Sequence, residues 1–288
     1  MPYLLVEALA DQGRGDYKLA ATKFQRLIEV ASVREAALAG LVSSYSQLGD
    51  NQQAVETLKD IIDSNPSDIT AIALLAKEMK IGKRSQQELK EFWSKHLSAN
   101  ADWAAGHIEF GNLLSSYGDH KSAYAAYAKS FELQNQNSTK LLMAFAKEQM
   151  GDTSAATTLY RELLATVPGS LLVRNNLSML LSANKDSLNE ALEIAEPLAA
   201  TDQPFYLDTI GWLHALGGDQ SKAVELLNQA VELAPDTGEL RYHLGFARYQ
   251  LQQIDEARKE ITRALEKSAQ TQTTEEWRRD AENLLQQM

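Results

Sequence analysis

Cysteine is absent from the 288 residues, which excludes a disulfide framework and any thiolate metal site. Long apolar runs are also missing. The longest, 36–42 and 71–76, fall far short of the ~18 residues a membrane-spanning helix needs. Basic residues are in deficit, 28 Lys and Arg against 39 Asp and Glu, for a formal charge of −11. A broad nucleic-acid or anionic-membrane surface is held by clustered Lys and Arg, so neither is expected. Histidine is sparse as well, at His96, His107, His120, His214 and His243. No two stand three or four apart, the spacing that puts two metal ligands on one helical turn. HExxH, GxSxG, P-loop and GxGxxG motifs are lacking. Acidic side chains such as Glu56, Asp60, Glu225, Glu232, Glu256 and Glu260 are spread out, as on solvated faces. The expectation is a chain that is not an enzyme and has no cofactor or metal site. The 44% hydrophobic content nevertheless suffices to bury a core, which argues against disorder.

What is abundant is repetition. Gly-Asp recurs at Gly15-Asp16, Gly49-Asp50, Gly118-Asp119, Gly151-Asp152 and Gly218-Asp219. Four residues past each Asp stands an alanine: Ala20, Ala54, Ala123, Ala156 and Ala223. Pro66, Pro168 and Pro235 then follow apolar runs. Repeat starts fall near 1, 35, 69, 104, 137, 171, 204 and 238, a spacing of 33 to 35 residues. The expected organisation is about eight units over 1–271, followed by a capping helix over 272–288.

Each unit reads as helix–turn–helix. Leu207, Ile210, Gly211 and His214 lie at helical spacing before Gly217-Gly218-Asp219 stops the helix. Glycine suits the left-handed stop, and Asp219 or Ser221 can cap the next helix. Ala223, Leu226, Leu227, Ala230 and Val231 then form an i, i+3, i+4, i+7, i+8 stripe. No unit can bury its stripes alone, so neighbours must stack. Small residues such as Gly111, Ala123, Gly211 and Ala223 mark places where two helices cross closely. His214 takes a place suited to a packing side chain and is read as a core-edge histidine.

This pattern resembles the tetratricopeptide repeat (TPR), a 34-residue helix pair. Leu207, Ile210-Gly211, Gly218, Ala223, Leu227, Ala230 and Pro235 stand at that family's places. So do Phe110-Gly111, Gly118, Ala123 and Tyr127, and Leu244-Gly245, Ala257, Ile261 and Ala264. Ankyrin repeats share the period, but Thr-Pro-Leu-His is absent; RNA-reading pentatricopeptide arrays are typically basic. The resemblance implies an all-α, right-handed superhelical α-solenoid that binds proteins.

Two stretches depart from the pattern. In the third, Lys83-Arg84 replaces Gly-Asp and Glu88 replaces the alanine, ahead of Leu89, Phe92, Trp93 and Leu97, which predicts bulkier packing. In the sixth, the turn at 184–188 is one residue longer and Pro197 falls inside the second helix. Its ring removes a donor and clashes one turn back, so that helix is expected to bend or stop near Glu196. At the C-terminus, Thr273 and Glu276 have capping-box spacing. Trp277, Ala281, Leu284, Leu285 and Met288 form the stripe of a terminal cap. At the other end Tyr3, Leu4, Leu5, Val6 and Leu9 have no preceding unit. The expectation is a piece of a longer protein cut at a repeat boundary, the alternative being an edge that self-associates.

The resemblance also implies a concave groove lined by the second, fifth, ninth and twelfth places of each first helix. Those places hold Leu172, Asn175, Met179 and Ser182; then Phe205, Asp208, Trp212 and Ala215; then Glu239, Tyr242, Phe246 and Tyr249. The expected partner-binding patch is Asn175, Met179, Phe205, Asp208, Trp212, Tyr242, Phe246 and Tyr249, since aromatics beside polar groups compose binding hot spots. Trp212 and Phe246 could equally pack between first helices. Leu5, Leu9, Ala39 and Ser43 offer no Lys–Asn clamp of the kind that chaperone-tail binders carry. Finally, 175–178 (NNLS), 207–212 (LDTIGW) and 241–245 (RYHLG) resemble the last repeats of long bacterial TPR lipoproteins of exopolysaccharide and exosortase systems. That resemblance implies a protein-binding scaffold of the envelope, periplasmic or associated with the outer membrane. The alternatives are a cytoplasmic adaptor or chaperone of a secretion or pilus system, and a self-assembling array.

Overall fold

The computed structural model describes residues 2–268 and 276–288. Among them are seventeen α-helices, two short 3-10 stretches and no strand. The fold is all-α, built of antiparallel helix pairs. The chain forms two compact units, residues 1–146 and 147–288.

The first unit contains α1 (Pro2–Gly13), α2 (Tyr17–Leu27), α3 (Arg34–Gln47), α4 (Asn51–Ser64), α5 (Ile69–Ile81), α6 (Gln86–Ala99), α7 (Ala104–Ser116) and α8 (His120–Leu133). It ends within α9 (Asn137–Gln149). Its core is continuous from Ala8 and Phe24 through Leu38, Leu41 and Leu58 to Ile72 and Leu75. The second unit holds α10 (Thr153–Thr166), α11 (Leu171–Ser182), α12 (Leu188–Ala195), α13 (Pro204–Gly217), α14 (Gln220–Leu233), α15 (Gly238–Gln250), α16 (Ile254–Ser268) and α17 (Glu276–Gln286).

The Gly-Asp pairs make the turns inside the helix pairs. Gly15, Gly49, Gly118, Gly151 and Gly218 all have φ between 73° and 88°, where a side chain would be strained. The aspartates that follow at 50, 119, 152 and 219 each accept a backbone N–H two to three residues into the next helix, satisfying a donor that the helix start leaves open. Lys83 (φ 54°) and Gln252 (φ 62°) adopt the same left-handed turn without glycine, at a cost on the order of 1 kcal/mol each.

The third helix pair differs from expectation in register. Its second helix is capped by Ser85, in a capping box with Glu88, rather than by the residue after the turn. Counting four from the cap places Leu89, not Glu88, at the site that elsewhere holds alanine. Leu89 is buried and Glu88 is exposed. In the sixth pair, α12 stops at Ala195 and a 3-10 turn over Glu196–Ala200 carries Pro197 and buries Leu198. The 3-10 stretch absorbs the break that Pro197 imposes.

A recurrent bond ties first helices to the loops before them. The ring of His107 and the Nε of Arg174 and Arg241 lie 3.1, 3.0 and 2.8 Å from the carbonyls of Ala101, Pro168 and Pro235. Each spans six residues, and Arg34 reaches the Ile28 carbonyl in the same way. These carbonyls follow helix C-termini, where acceptors are left without partners.

At the C-terminus, Trp277, Ala281 and Leu284 of α17 are buried against Tyr242, Ile261 and Ala264. Thr273 of the expected capping box lies outside the described residues.

Candidate functional site

The first helices of the second unit carry the expected patch. Thr209 of α13 donates to the Asn175 side chain of α11 at 2.8 Å, and this bond sets α11 beside α13. Leu172, Asn175 and Met179 share one face of α11, while Phe205, Asp208 and Trp212 share one face of α13, by the i, i+3, i+7 rule.

Asn175 is spoken for internally: besides accepting from Thr209, it donates to Asn176 at 3.1 Å. Asn176 in turn donates to the Tyr160 hydroxyl at 3.2 Å, and that hydroxyl donates to Glu148 at 2.9 Å. A polar chain therefore runs from Glu148 to Thr209 beneath the face. Burial pushes the Tyr160 phenol far up, so it stays protonated and remains the donor to Glu148.

The aromatics of α13 and α15 are largely consumed by packing. Trp212 stacks on His243 at 4.2 Å and meets Phe246 edge-on at 5.1 Å. Tyr242 is the clearest departure from the expected groove. It is only 7% exposed and stacks on Trp277 of α17 at 5.9 Å, and burial pushes its phenol up to about 12. Phe246 and Tyr249 are half-buried against the same cluster. The groups left open are Phe205, at 63% exposure, together with Leu172 and Met179.

Asp208 does not face solvent as a free carboxylate. Its two oxygens lie 2.8 and 3.0 Å from Nδ1 of the buried His243. Burial opposes the charged imidazole, but the Asp208 charge, the hydrogen bond to it and the Glu239 charge outweigh that, so the His243 pKa is raised. The signal for this pair was in the sequence: an acidic and a basic side chain on successive first helices, 35 residues apart. His214 sits half-buried 3.6 Å from Asp219, with its pKa lowered chiefly by burial, in keeping with a core-edge role.

The raised pKa has a sign that can be checked. A histidine bound more tightly to its proton in the fold stabilises it below the unfolded value of about 6.5. That contribution fades as pH rises through the folded value. We expect the melting temperature of the wild type to fall across this window more than that of His243→Gln, measured by calorimetry at matched ionic strength. Parallel curves would show that the pair does not titrate as described.

Among the described residues, no three His, Asp or Glu side chains converge as a metal site. No described helix is long and apolar enough to cross a membrane.

Stacked helix pairs with no sheet define an α-solenoid, a class of protein built from repeats that each contact their neighbours. Two segments, residues 5–69 and 217–277, match models described as tetratricopeptide repeat. Solved structures agree on the fold. MamA (residue 41 to the end) from Desulfovibrio magneticus RS-1 is 19% identical with a TM-score of 0.52, over 59% of this chain and 97% of that one. A chain of the APC/C hetero-tetramer Cut9-Hcn1 is 16% identical with a TM-score of 0.59, over 99% of this chain and 55% of that one. YrrB, described as a TPR protein with an unusual peptide-binding site, is 18% identical with a TM-score of 0.50, over 66% and 97%. Comparison with curated proteins gives no match.

Proposed function

We propose that the chain is a noncatalytic scaffold that holds an extended segment of a partner protein against the first-helix face of residues 147–288. The observation that carries this reading is the contrast on that face. Phe205, Leu172 and Met179 stay exposed, while the groups around them are fixed by the Asp208–His243 pair and the Trp212 stack. A rigid surround with open apolar anchors loses little freedom on binding. YrrB, of like fold, has a described peptide-binding site, and Cut9-Hcn1 is a multi-chain assembly.

The cellular setting we favour is a bacterial envelope assembly for polysaccharide export or protein sorting. It rests on the resemblance carried by 175–178, 207–212 and 241–245; a cytoplasmic secretion adaptor is the alternative.

Photo-crosslinking tests both levels. With p-benzoyl-phenylalanine in place of Phe205, discrete adducts are expected in cells of the source organism. The same probe in place of the exposed Glu225 on α14 should give none. Equal labelling at both positions would refute the face. Adducts recovered in the envelope rather than the cytosol favour the first setting, and the reverse favours the second.

A further inference from the structure

Four carboxylates are buried among the described residues: Asp11, Asp68, Glu78 and Glu260. Three of them hold a cation. Asp11 pairs with Lys23 at 2.8 Å, Asp68 with Arg34 at 2.6 Å, and Glu260 with Arg241. Glu78 of α5 is only 7% exposed, yet it makes no hydrogen bond or ion pair among the described residues. A buried carboxylate without a partner costs free energy. Burial accordingly pushes the Glu78 carboxyl above the usual carboxylate range, and the Lys77 charge offsets this only in part.

The residue type is also out of keeping with its place. Counted from Ile69, Glu78 is tenth in its unit, and the tenth places of α3, α7, α13 and α15 hold Ser44, Leu113, Leu213 and Ala247, all buried. It is off the second, fifth, ninth and twelfth places expected to line the groove. Leu75, Glu78 and Met79 follow i, i+3, i+4 and so share one side of α5. That side walls a cleft of about 660 Å3, with Val55, Glu56 and Lys59 of α4 lining it as well. Glu56 is exposed and accepts the Gln52 amide at 2.8 Å. Arg84, near the start of α6, stands at the end of the cleft and faces Glu88 at 3.6 Å.

We infer that this cleft takes a primary ammonium group on an aliphatic chain, the charge on Glu78 and the chain along Val55, Leu75 and Met79. A charged partner restores the pairing that the other three buried carboxylates have. A guanidinium fits less well, because a single carboxylate among apolar side chains leaves most of its five donors unpaired. A divalent cation needs several oxygen ligands, and no three His, Asp or Glu side chains converge among the described residues. A lysine side chain of a partner and a free alkylamine share the required chemistry. The cleft has no residue in common with the face of residues 147–288, so either can fail alone.

The test is a titration followed by the methyl resonances of Val55, Leu75 and Met79. Pentylammonium is expected to shift them, and pentanol, of equal length without the charge, is not. A capped glycine–lysine–glycine peptide that binds more tightly than pentylammonium assigns the ammonium to a partner's lysine, and the reverse order assigns it to a free amine; either supports the site. Glu78→Gln keeps the shape and removes the charge, so affinity should fall by about tenfold or more. Glu56→Gln, at the exposed rim, should cost less than about threefold. Without ligand, Glu78→Gln should melt no lower than the wild type, since it relieves an unpaired buried charge. A lower melting temperature would show that the carboxylate is already satisfied within the fold and would overturn the inference. So would unmoved resonances with both amines, equal shifts with pentanol, or equal losses in Glu56→Gln and Glu78→Gln.

Discussion

Replacing Tyr160 by alanine is expected to destabilise the second unit by about 3–5 kcal/mol, the range for large aromatic truncations in a core. Tyr160 is fully buried and is the largest such side chain among the described residues. It sits between the end of α9 and α11, with Glu148 and Asn176 as its hydroxyl partners. Tyr160→Phe separates the two contributions: it keeps the ring and removes the bridge between those polar groups. A loss of about 1–2 kcal/mol is expected, the cost of leaving the half-buried Glu148 and Asn176 without this partner. Urea unfolding measures both, and hydrogen exchange in α10 and α11 shows whether the loss stays local, as a repeat array allows. If Tyr160→Phe cost as much as Tyr160→Ala, the ring would be contributing nothing.

Gly245→Leu should be comparably severe for a different reason. A Cβ at this position would lie 2.5 Å from Ile261 Cγ1 and 3.3 Å from the Ala257 carbonyl oxygen. The Ile261 side chain could turn aside, but the backbone oxygen belongs to the buried turn of α16 and could not. The expected loss is about 3 kcal/mol, the upper part of the overpacking range. A double-mutant cycle supplies the check. Ile261→Ala frees space directly over the glycine, so Gly245→Leu/Ile261→Ala should lose at least about 1 kcal/mol less than the sum of the singles. Strict additivity would show that the close approach of α15 to α16 is not what fixes glycine here.

How much of this was legible in the sequence varies by scale. Turns were legible because their chemistry is local. Four of the five Gly-Asp pairs combine a left-handed glycine with an aspartate cap, and Pro197 ends α12 through its own ring. The Leu89 register was obscured because Lys83, not the Gly82 before it, takes the left-handed place of the third turn, and matching Glu88 to the alanines overlooked Ser85 as the actual cap. Depth was the other loss. Repeat position tells which face Tyr242 occupies, but its burial depends on Trp277 arriving from a separate helix, a long-range contact that no spacing reveals.

The six-residue bonds of His107, Arg174 and Arg241 also have a mechanical meaning. Each closes a small ring around the junction between one helix pair and the next, so a pull along the chain loads that ring before it can peel a helix away. Arg174 and Arg241 strengthen the anchor by also holding the Ile194 carbonyl and Glu260. Junctions so fastened are where force is borne. Extension under tension would begin at loops that lack such a fastening.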